Sequence, residues 1–357
     1  RHAAQRISGC SMKVSPENDE RLDVDQKDIE DLIHAVRFAC LAYTSDDDPQ
    51  PLCCIEEAIG ICSTDPQDYK LSDLLLTNSG FVLDRCFNEN GGATQGYIAH
   101  NVNEDGPADV VLAYRGIDDA VDWCFNLDFS TVAFDPSEDI HAACSYVGCC
   151  RCFCCKSRHG FVHRGMYNAF LNSVQHINDC IRPHLHQAED CDDRKDRARL
   201  SAISKKSSIK KWNKGVRLII TGHSFGGALA LAACAHLVSS IDFASSPHQI
   251  LFVTAGQPRF ALSGFCKKFQ KRFSELEKLN KIKTMRLVND RDLVPSVPPG
   301  FSHLIPPHFL TNDGKLVRGD SNLKEEEVGS FTECLSDHVP EMYMKMLHDW
   351  RDVCRRS

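Results

Sequence analysis

The chain of 357 residues lacks the features of a fibrous, membrane-spanning or nucleic-acid-binding protein. With 42% hydrophobic and 25% charged residues and no internal repeat, its composition excludes a collagen-like or disordered chain. The net charge of -8 provides no basic surface for nucleic acid. The longest apolar run, residues 217–238, contains Arg217, His223 and several glycines, which makes it a poor membrane span. We therefore expect a soluble globular protein that binds no nucleic acid.

The first residues also lack a secretory signal. The stretch "RHAAQRISGCSMKVSPENDERLDVDQ" has no apolar core, although the chain starts at Arg1 and leaves open an upstream signal. Cysteine, in contrast, is abundant: the chain has 19, and heavy cysteine use is typical of an oxidising compartment. We expect a secreted or endomembrane protein, with a cytoplasmic, membrane-associated protein as the alternative.

A single domain is predicted over residues 28–357, after a flexible polar tail over residues 1–27. Residues 28–43 have helical apolar spacing with acidic residues in the first turn, and "YNAFLNSVQHINDCIRPHL" predicts a helix that ends at Pro183. Two stretches interrupt the pattern. One is cysteine-rich, near residues 136–160, and the other is charged, near residues 184–214, so both are predicted to be insertions.

Apolar runs and helical segments alternate in the second half of the chain. "VRLIIT", "QILFVTAG" and "KTMRLVN" are strand-like, and helical segments follow the first two. "DVVLAYRG", earlier in the chain, is typical of a strand buried on both faces. Strands that alternate with helices form parallel βα units, so the sequence predicts an α/β fold with a mostly parallel sheet.

The segment "GHSFG" fits the pattern G-x-S-x-G between a buried strand and a helix of small residues. A serine becomes exposed at the top of a sheet only where the backbone turns sharply, and Gly222 and Gly226 remove side chains that would collide in such a turn. The segment has neither the Lys of a phosphate-binding P-loop nor the glycine spacing of a dinucleotide loop. Ser224 is thus a candidate nucleophile, and a glycine-rich turn without chemistry is the alternative.

A serine nucleophile needs a base and a carboxylate that orients it. His223 is a poor base for Ser224, because neighbouring side chains diverge around so sharp a turn. The carboxylate and base are expected downstream, in that order. Asp290 and Asp292 follow a strand, and the downstream histidines are His303, His308, His338 and His348. The residues alone leave this choice open.

Six blocks, in order, resemble the class 3 lipases, the fungal lipase-like group of α/β-hydrolases. They are "ACLAY", "VVLAYRGIDDAVDWCFNLDF", "FVHRGMYNAF", "ITGHSFGGALALAACAHL", "TAGQPRFA" and "VNDRDLVPSVPP". The resemblance runs from about residue 28 to 343. It implies an α/β-hydrolase fold: a mostly parallel central sheet, helices on both faces and a lid segment.

The resemblance also implies roles for individual residues. Ser224 would be the nucleophile, Asp292 the triad acid and His338, in "SDHVPEMY", the base, whereas His303 matches a histidine without that role. The backbone N–H groups of Phe225 and Ile117 would form the oxyanion hole. Many family members carry Ser or Thr at the position of Ile117, whose side chain has no hydroxyl to assist.

Residues 117–129 would form the lid, in which Trp123 and Phe125 would contact substrate. Apolar and polar residues alternate strictly in "VDWCFNLDF", a pattern that by itself indicates a half-buried strand. The lid interpretation and the strand interpretation both stay open at this point.

The resemblance implies a serine carboxylic ester hydrolase that acts on acylglycerol-type lipids at a lipid–water interface, with peripheral membrane contact and no cofactor or metal. Alternatives are a phospholipase A1, a soluble carboxylesterase, and a lipase-fold protein that binds or signals with little catalysis.

The cysteine-rich run over residues 144–155 has no counterpart of this length in the family. Cys149, Cys152 and Cys155, with His159 following, have spacing that fits zinc or an iron–sulfur cluster. Lipidation is a third interpretation. We favour disulfides or inert thiols over both, because no lipase chemistry requires a metal.

Overall fold

The computed structural model describes residues 26–44, 70–72, 74–75, 80–89, 94–101, 108–117, 129–136, 159–185, 215–289, 292–312, 314–319 and 337–356. Within these ranges no helix is both long and apolar enough to span a bilayer. Both predicted insertions and the amino-terminal tail fall largely outside them.

The centre of the fold is an eight-stranded sheet. In chain order its strands are β1 (Val82–Glu89), β2 (Thr94–Asn101), β3 (Ala108–Tyr114), β6 (Val216–His223), β7 (Gln249–Ala255), β8 (Ile282–Asn289), β9 (Pro307–Leu310) and β10 (Leu316–Arg318). They lie in the order β1-β2-β3-β6-β7-β8-β9-β10, and every pair from β3 to β9 is parallel. At one edge of the sheet β2 and β1 are added antiparallel, and at the other edge β10 is added antiparallel to β9. A separate pair joins β4 (Thr131–Ala133) to β5 (Phe161–His163). The prediction of a mostly parallel α/β sheet is confirmed.

Helices pack on both faces of this sheet. They are α1 (Gln26–Leu41), α2 (Arg164–Leu171), α3 (Val174–His176), α4 (Arg182–Leu185), α5 (Phe225–Ser240), α6 (Ser263–Lys278) and α7 (Pro340–Arg356). The apolar residues of α1 and α7 form the core on one face, and those of α2, α5 and α6 form the core on the other. Successive strand residues point to opposite faces. Accordingly Leu218 and Ile220 of β6 join one core and Ile219 joins the other, which explains why the strand is a continuous apolar run.

Two local features differ from the prediction. The helix predicted to end at Pro183 is broken after α2, passes through a π-helix at Ile177–Ile181, and continues to Leu185 in α4. Pro183 lacks a backbone N–H, but the wider π-turn before it tolerates that loss. Strand β1 was not predicted, because it lies at the sheet edge and has no clean alternation of buried and exposed residues.

Six of the 19 cysteines lie in the described ranges. They are Cys40, Cys86, Cys180, Cys234, Cys266 and Cys354. Burial raises the pKa of Cys266 to about 12 and that of Cys40 and Cys234 still further, so these three thiols act as apolar core groups at neutral pH. The cysteine-rich run at residues 144–155 lies outside the described residues.

Candidate active site

Ser224 lies in a sharp turn between β6 and α5, at the carboxyl edge of the parallel strands. Its backbone has φ 56° and ψ −131°, a conformation that a residue with a side chain rarely adopts. The turn is tight enough that a Cβ on Gly222 would lie 2.3 Å from the carbonyl oxygen of Gly226. Such strain is typical of functional sites, where the surrounding fold maintains it.

Ser224, His338 and Asp292 form one hydrogen-bonded chain. Oγ of Ser224 lies 2.8 Å from Nε2 of His338, and Nδ1 of His338 lies 2.8 Å from Oδ2 of Asp292. All three residues are buried. Asp292 follows β8, and His338 lies two residues before α7. The carboxyl ends of β6 and β8 and the start of α7 therefore bring together residues that are 46 and 114 positions apart.

The carboxylate of Asp292 has two hydrogen-bond donors besides His338. The N–H of Val294 donates to Oδ1 at 2.9 Å, and the hydroxyl of Tyr343 donates to Oδ2 at 2.6 Å. Burial and the adjacent Asp292 hold the pKa of Tyr343 well above its usual range, so its hydroxyl keeps the proton that it donates. Sequence reasoning did not assign a role to Tyr343. The signal was present, since Tyr343 is the tyrosine of "SDHVPEMY" and follows His338 by five residues.

His223 has a role other than that of a base. Its Nε2 donates to the backbone carbonyl of His338 at 2.6 Å, and its Nδ1 accepts from the hydroxyl of Tyr43 at 2.8 Å. Burial, with a contribution from His338, lowers the pKa of His223 well below its usual value, so the ring is neutral. A neutral ring with one donor and one acceptor matches these two partners. His223 thus anchors the backbone of the histidine that contacts Ser224.

Gly256 lies directly behind the Asp292–His338 pair. Its φ is +61°, and a Cβ there would lie 2.9 Å from Oδ2 of Asp292 and 3.0 Å from Cε1 of His338. A side chain at this position would push the two groups out of place. The glycine of "TAGQPRFA" is therefore required by both backbone conformation and space.

Phe225 directly follows Ser224, and the segment that leads to Ile117 passes beside the same serine. Phe225 is the first residue of α5, and amide groups at a helix amino terminus point outward, where the helix dipole favours negative charge. The segment with Ile117 follows β3. There a Cβ on Gly116 would lie 3.0 Å from Cβ of Ser224, so this backbone passes immediately beside the serine. Two backbone amides on either side of a serine can stabilise a negatively charged oxygen.

The remaining candidates lie elsewhere. His303 donates from Nε2 to the carbonyl of Pro295 at 2.7 Å, and His308 is buried in β9. Asp290, Trp123 and Phe125 lie outside the described residues, as does most of the predicted lid. Phe129, its last residue, is 55% exposed.

The geometry is suited to acyl transfer. A serine hydroxyl hydrogen-bonded to an imidazole, itself hydrogen-bonded to a buried carboxylate, can lose its proton as it attacks a carbonyl carbon. Because Nδ1 of His338 donates to Asp292, Nε2 is the nitrogen that accepts the serine proton.

Parts of this chain are similar in sequence to known proteins. The family model described as Lipase (class 3) matches residues 197–302. A lipase of Rhizomucor miehei is 33% identical over 100 residues, which is 27% of this chain and 25% of that lipase. Phospholipase A1-II 6 of Oryza sativa subsp. japonica is 26% identical over 218 residues, 57% of this chain and 44% of the relative. The alignments thus span a quarter and less than half of these two relatives.

The fold also has a counterpart among solved structures. The crystal structure of the Lip2 lipase from Yarrowia lipolytica superposes with a TM-score of 0.55 at 19% identity. The superposition covers 89% of this chain and 94% of the other. The two chains therefore share a fold over nearly their whole lengths.

Proposed function

Because the chain belongs to the class 3 lipase family and has the α/β-hydrolase fold of fungal lipases, we propose that it hydrolyses carboxylic esters of acylglycerol-type lipids. The observation that carries this proposal is the continuous hydrogen-bonded chain from Ser224 through His338 to Asp292. The strained backbone of Ser224 at the carboxyl edge of the sheet supports it further.

In the first half of the reaction, Oγ of Ser224 attacks the acyl carbon of the ester. An O–C bond forms, the carbonyl π pair moves to oxygen, and the serine proton passes to Nε2 of His338. Asp292 keeps its hydrogen bond to Nδ1 and stabilises the positive charge that develops on the ring. Tyr343 and the amide of Val294 hold Asp292 in place for this role.

The negative charge on the former carbonyl oxygen would be stabilised by the N–H groups of Phe225 and Ile117. Removal of one such donor in other enzymes lowers kcat by about 10²–10³. A family member with Ser or Thr at the position of Ile117 adds a side-chain hydroxyl, and this chain does not. We therefore expect a slower reaction on ordinary triacylglycerol than in such relatives.

In the second half, the tetrahedral intermediate collapses and the C–O bond to the alcohol breaks. The alcohol leaves with the proton from His338, which makes the acyl-enzyme on Ser224. Water then gives a proton to His338 as it attacks the acyl carbon, and the fatty acid is released while Ser224 recovers its proton. No cofactor is required for any of these steps.

The segment with Trp123 and Phe125 is proposed to cover Ser224 in water and to contact lipid at an interface. Lids of this kind expose an apolar surface only when substrate is present as a lipid phase. Trp123→Ser would then reduce activity on emulsified lipid several-fold while it leaves activity on a dissolved short-chain ester unchanged. Equal loss on both substrates would contradict the lid role.

A second substrate class is favoured by one observation. The rice relative, whose name is phospholipase A1, aligns with about twice as many residues of this chain as the Rhizomucor lipase does. Hydrolysis of the sn-1 ester of a phospholipid would use the same residues and steps. Parallel assays on diacylglycerol, triacylglycerol and phosphatidylcholine, each dispersed identically, would rank the three classes.

The decisive experiment measures hydrolysis of p-nitrophenyl esters of increasing chain length and of emulsified glycerides and phospholipids. Wild type is compared with Ser224→Ala and with Ser239→Ala, a control on the same helix away from the site. The proposal predicts activity for wild type and Ser239→Ala alone.

Three other outcomes distinguish the alternatives. Activity only on dissolved short-chain esters would indicate a soluble carboxylesterase. Lipid binding without hydrolysis would indicate a binding or signalling protein. Equal activity of wild type and Ser224→Ala on every ester would contradict the serine mechanism.

A further inference from the structure

Three metal-ligating side chains meet at the edge of the sheet opposite Ser224. They are Asp84 of β1, His100 of β2 and His184 of α4, and one ligand atom of each lies within 4.8 Å of those of the other two. His100 pairs with Val110, near the amino end of β3, whereas Ser224 follows the carboxyl end of the adjacent β6. The cluster is therefore separate from the site described above.

A β-bulge and a π-helix bring these side chains together. In the β1–β2 ladder Leu83 pairs with Ala99 and Arg85 pairs with Ile98, so Asp84 is an extra residue without a partner strand residue. Bulges of this kind redirect a side chain and often lie beside functional sites. The π-helix Ile177–Ile181 adds a residue to its turn, which rotates the face of the following helix that carries His184. Two independent irregularities of the backbone thus converge on one point.

His184 is the buried member of the cluster. Only 9% of it is exposed, and among the described residues its Nδ1 has no hydrogen-bond partner. A buried polar atom without a partner destabilises a protein and is rare in native structures. An ion bound jointly by Asp84, His100 and His184 would supply a partner for this buried imidazole.

Asp84 and His100 already contact each other and remain open to solvent. Nδ1 of His100 lies 2.9 Å from both carboxylate oxygens of Asp84. The exposed fraction is 19% for the side chain of His100 and 20% for that of Asp84. A partly exposed ion pair alone adds little stability, and it does not explain why His184 is buried beside it. The exposed side leaves room for an ion to enter and for water to complete its coordination.

We propose that Asp84, His100 and His184 bind a divalent transition-metal ion of the Zn²⁺ type. Two imidazoles and one carboxylate are a ligand set that suits this class of metal, with water as a further ligand. Ligands of tetrahedral zinc lie about 3.4 Å apart for bonds of about 2.0–2.1 Å. The three ligand atoms lie within 4.8 Å of one another, so binding would need a rearrangement of about 1–2 Å.

The bound ion would join the edge strands β1 and β2 to α4. Helix α4 ends at Leu185, and the next described residue is Gly215. The role of the ion is therefore structural: it fixes the edge of the sheet against the helix and takes no part in the chemistry at Ser224. The proposal does not depend on the proposed ester hydrolysis.

Thermal unfolding of the full chain with and without Zn²⁺ tests the site. At a free Zn²⁺ concentration about 100 times the Kd, we expect the Tm of wild type to rise by about 4 °C. Asp84→Ala and His184→Phe should bind Zn²⁺ at least about 10–100-fold more weakly, so at the same Zn²⁺ concentration they should lose about half of this increment or more. Bound Zn²⁺ after dialysis, measured by elemental analysis, should fall by one ion per chain in each variant. This difference is independent of any Zn²⁺ held by the cysteine-rich run, which is common to all the proteins.

A neighbouring histidine–carboxylate pair supplies the control. His176 of α3 lies 3.1 Å from Glu89 of β1 and stacks on Phe87, but among the described residues no third ligand joins this pair. His176→Phe should retain the full Zn²⁺ response. If His184→Phe folds poorly, Asp84→Ala, at a partly exposed position, decides the question. The proposal is overturned if Zn²⁺ leaves the Tm of wild type unchanged, or if it raises the Tm of Asp84→Ala equally.

Discussion

Two Asp–His pairs lie at opposite edges of the same sheet, with nearly equal separations. Asp292 and His338 are 2.8 Å apart, and Asp84 and His100 are 2.9 Å apart. The side chain of Asp292 is fully buried, whereas 20% of that of Asp84 is exposed. The third member is a serine at one edge and a second histidine at the other. Burial and the third group, more than the pair itself, therefore determine which chemistry each edge supports.

The buried pair is constrained at both ends. Asp292 accepts from Val294 and Tyr343 besides His338, while the backbone of His338 is held by His223. In the partly exposed pair, Nδ1 of His100 contacts both carboxylate oxygens of Asp84, and water reaches both side chains. A constrained donor–acceptor chain suits repeated proton transfer, and an open one suits capture of an ion.

The largest expected effect is on kcat, which should depend on Asp292 and not on Asp84. Asp292→Asn leaves the shape of the site intact but removes the charge and favours the wrong tautomer of His338, so kcat should fall about 10⁴-fold. Asp84→Asn should leave kcat within about twofold of wild type, because its edge is remote from Ser224. Steady-state kinetics on a p-nitrophenyl ester measures both. A comparable loss of kcat in the two variants would contradict the assignment of catalysis to the Asp292–His338 pair.

The next effect concerns the space behind the buried pair. Gly256→Ala adds a Cβ against Asp292 and His338 at a backbone φ of +61°, and a displacement of about 1 Å costs about 10²-fold in kcat. Stability should also fall by about 1–3 kcal/mol from the backbone conformation. Gly264→Ala in α6, where nothing lies within 4 Å of the added Cβ, is the control. Kinetics and urea unfolding of both variants test this, and a fully active Gly256→Ala would refute the steric requirement.

A smaller effect concerns the hydroxyl that supports Asp292. Tyr343→Phe removes a hydrogen bond to a buried charge, worth about 1.5–3 kcal/mol, so kcat should fall about tenfold or more while KM changes little. Tyr97→Phe removes a buried hydroxyl that donates to the carbonyl of Phe38 on the same face of the sheet. It should reduce stability without changing kcat. If both variants lose stability and keep the kcat of wild type, Tyr343 does not position Asp292 for catalysis.

The last effect is on stability alone and concerns a histidine that has no carboxylate partner among the described residues. Burial, with Arg318 and Arg286 nearby, lowers the pKa of His308 to about 4, whereas in the unfolded chain this histidine has its ordinary pKa of 6.5. Above about pH 6.5 the ring is neutral in both states and its titration does not affect folding, whereas each pH unit below that lowers the free energy of unfolding by up to about 1.4 kcal/mol until about pH 4. The free energy of unfolding in urea should fall less steeply between pH 6.5 and pH 4.5 in His308→Leu. Equal slopes in variant and wild type would contradict this assignment.

Part of the fold was accessible from the sequence because local patterns determine it. The apolar runs that became β3, β6, β7 and β8 and the helix near residues 28–43 all carry strong periodicity or continuous hydrophobicity. Strand β1, with mixed burial, and the π-helix before Pro183 carry no such pattern. The order of the strands rests on contacts between distant segments, so the local patterns predicted a mostly parallel sheet but not this order.

The sequence by itself determined the strand, sharp turn and helix around Ser224, since glycine, serine and small residues act through short-range sterics. Tertiary structure decided which distant groups join that serine. Four downstream histidines were equivalent in pattern, and only the packing of α7 against the sheet brings His338 to Ser224 and Tyr343 to Asp292. The same holds at the opposite edge. Asp84, His100 and His184 have no common spacing in the sequence, because a bulge and a π-turn, which depend on long-range packing, bring them together.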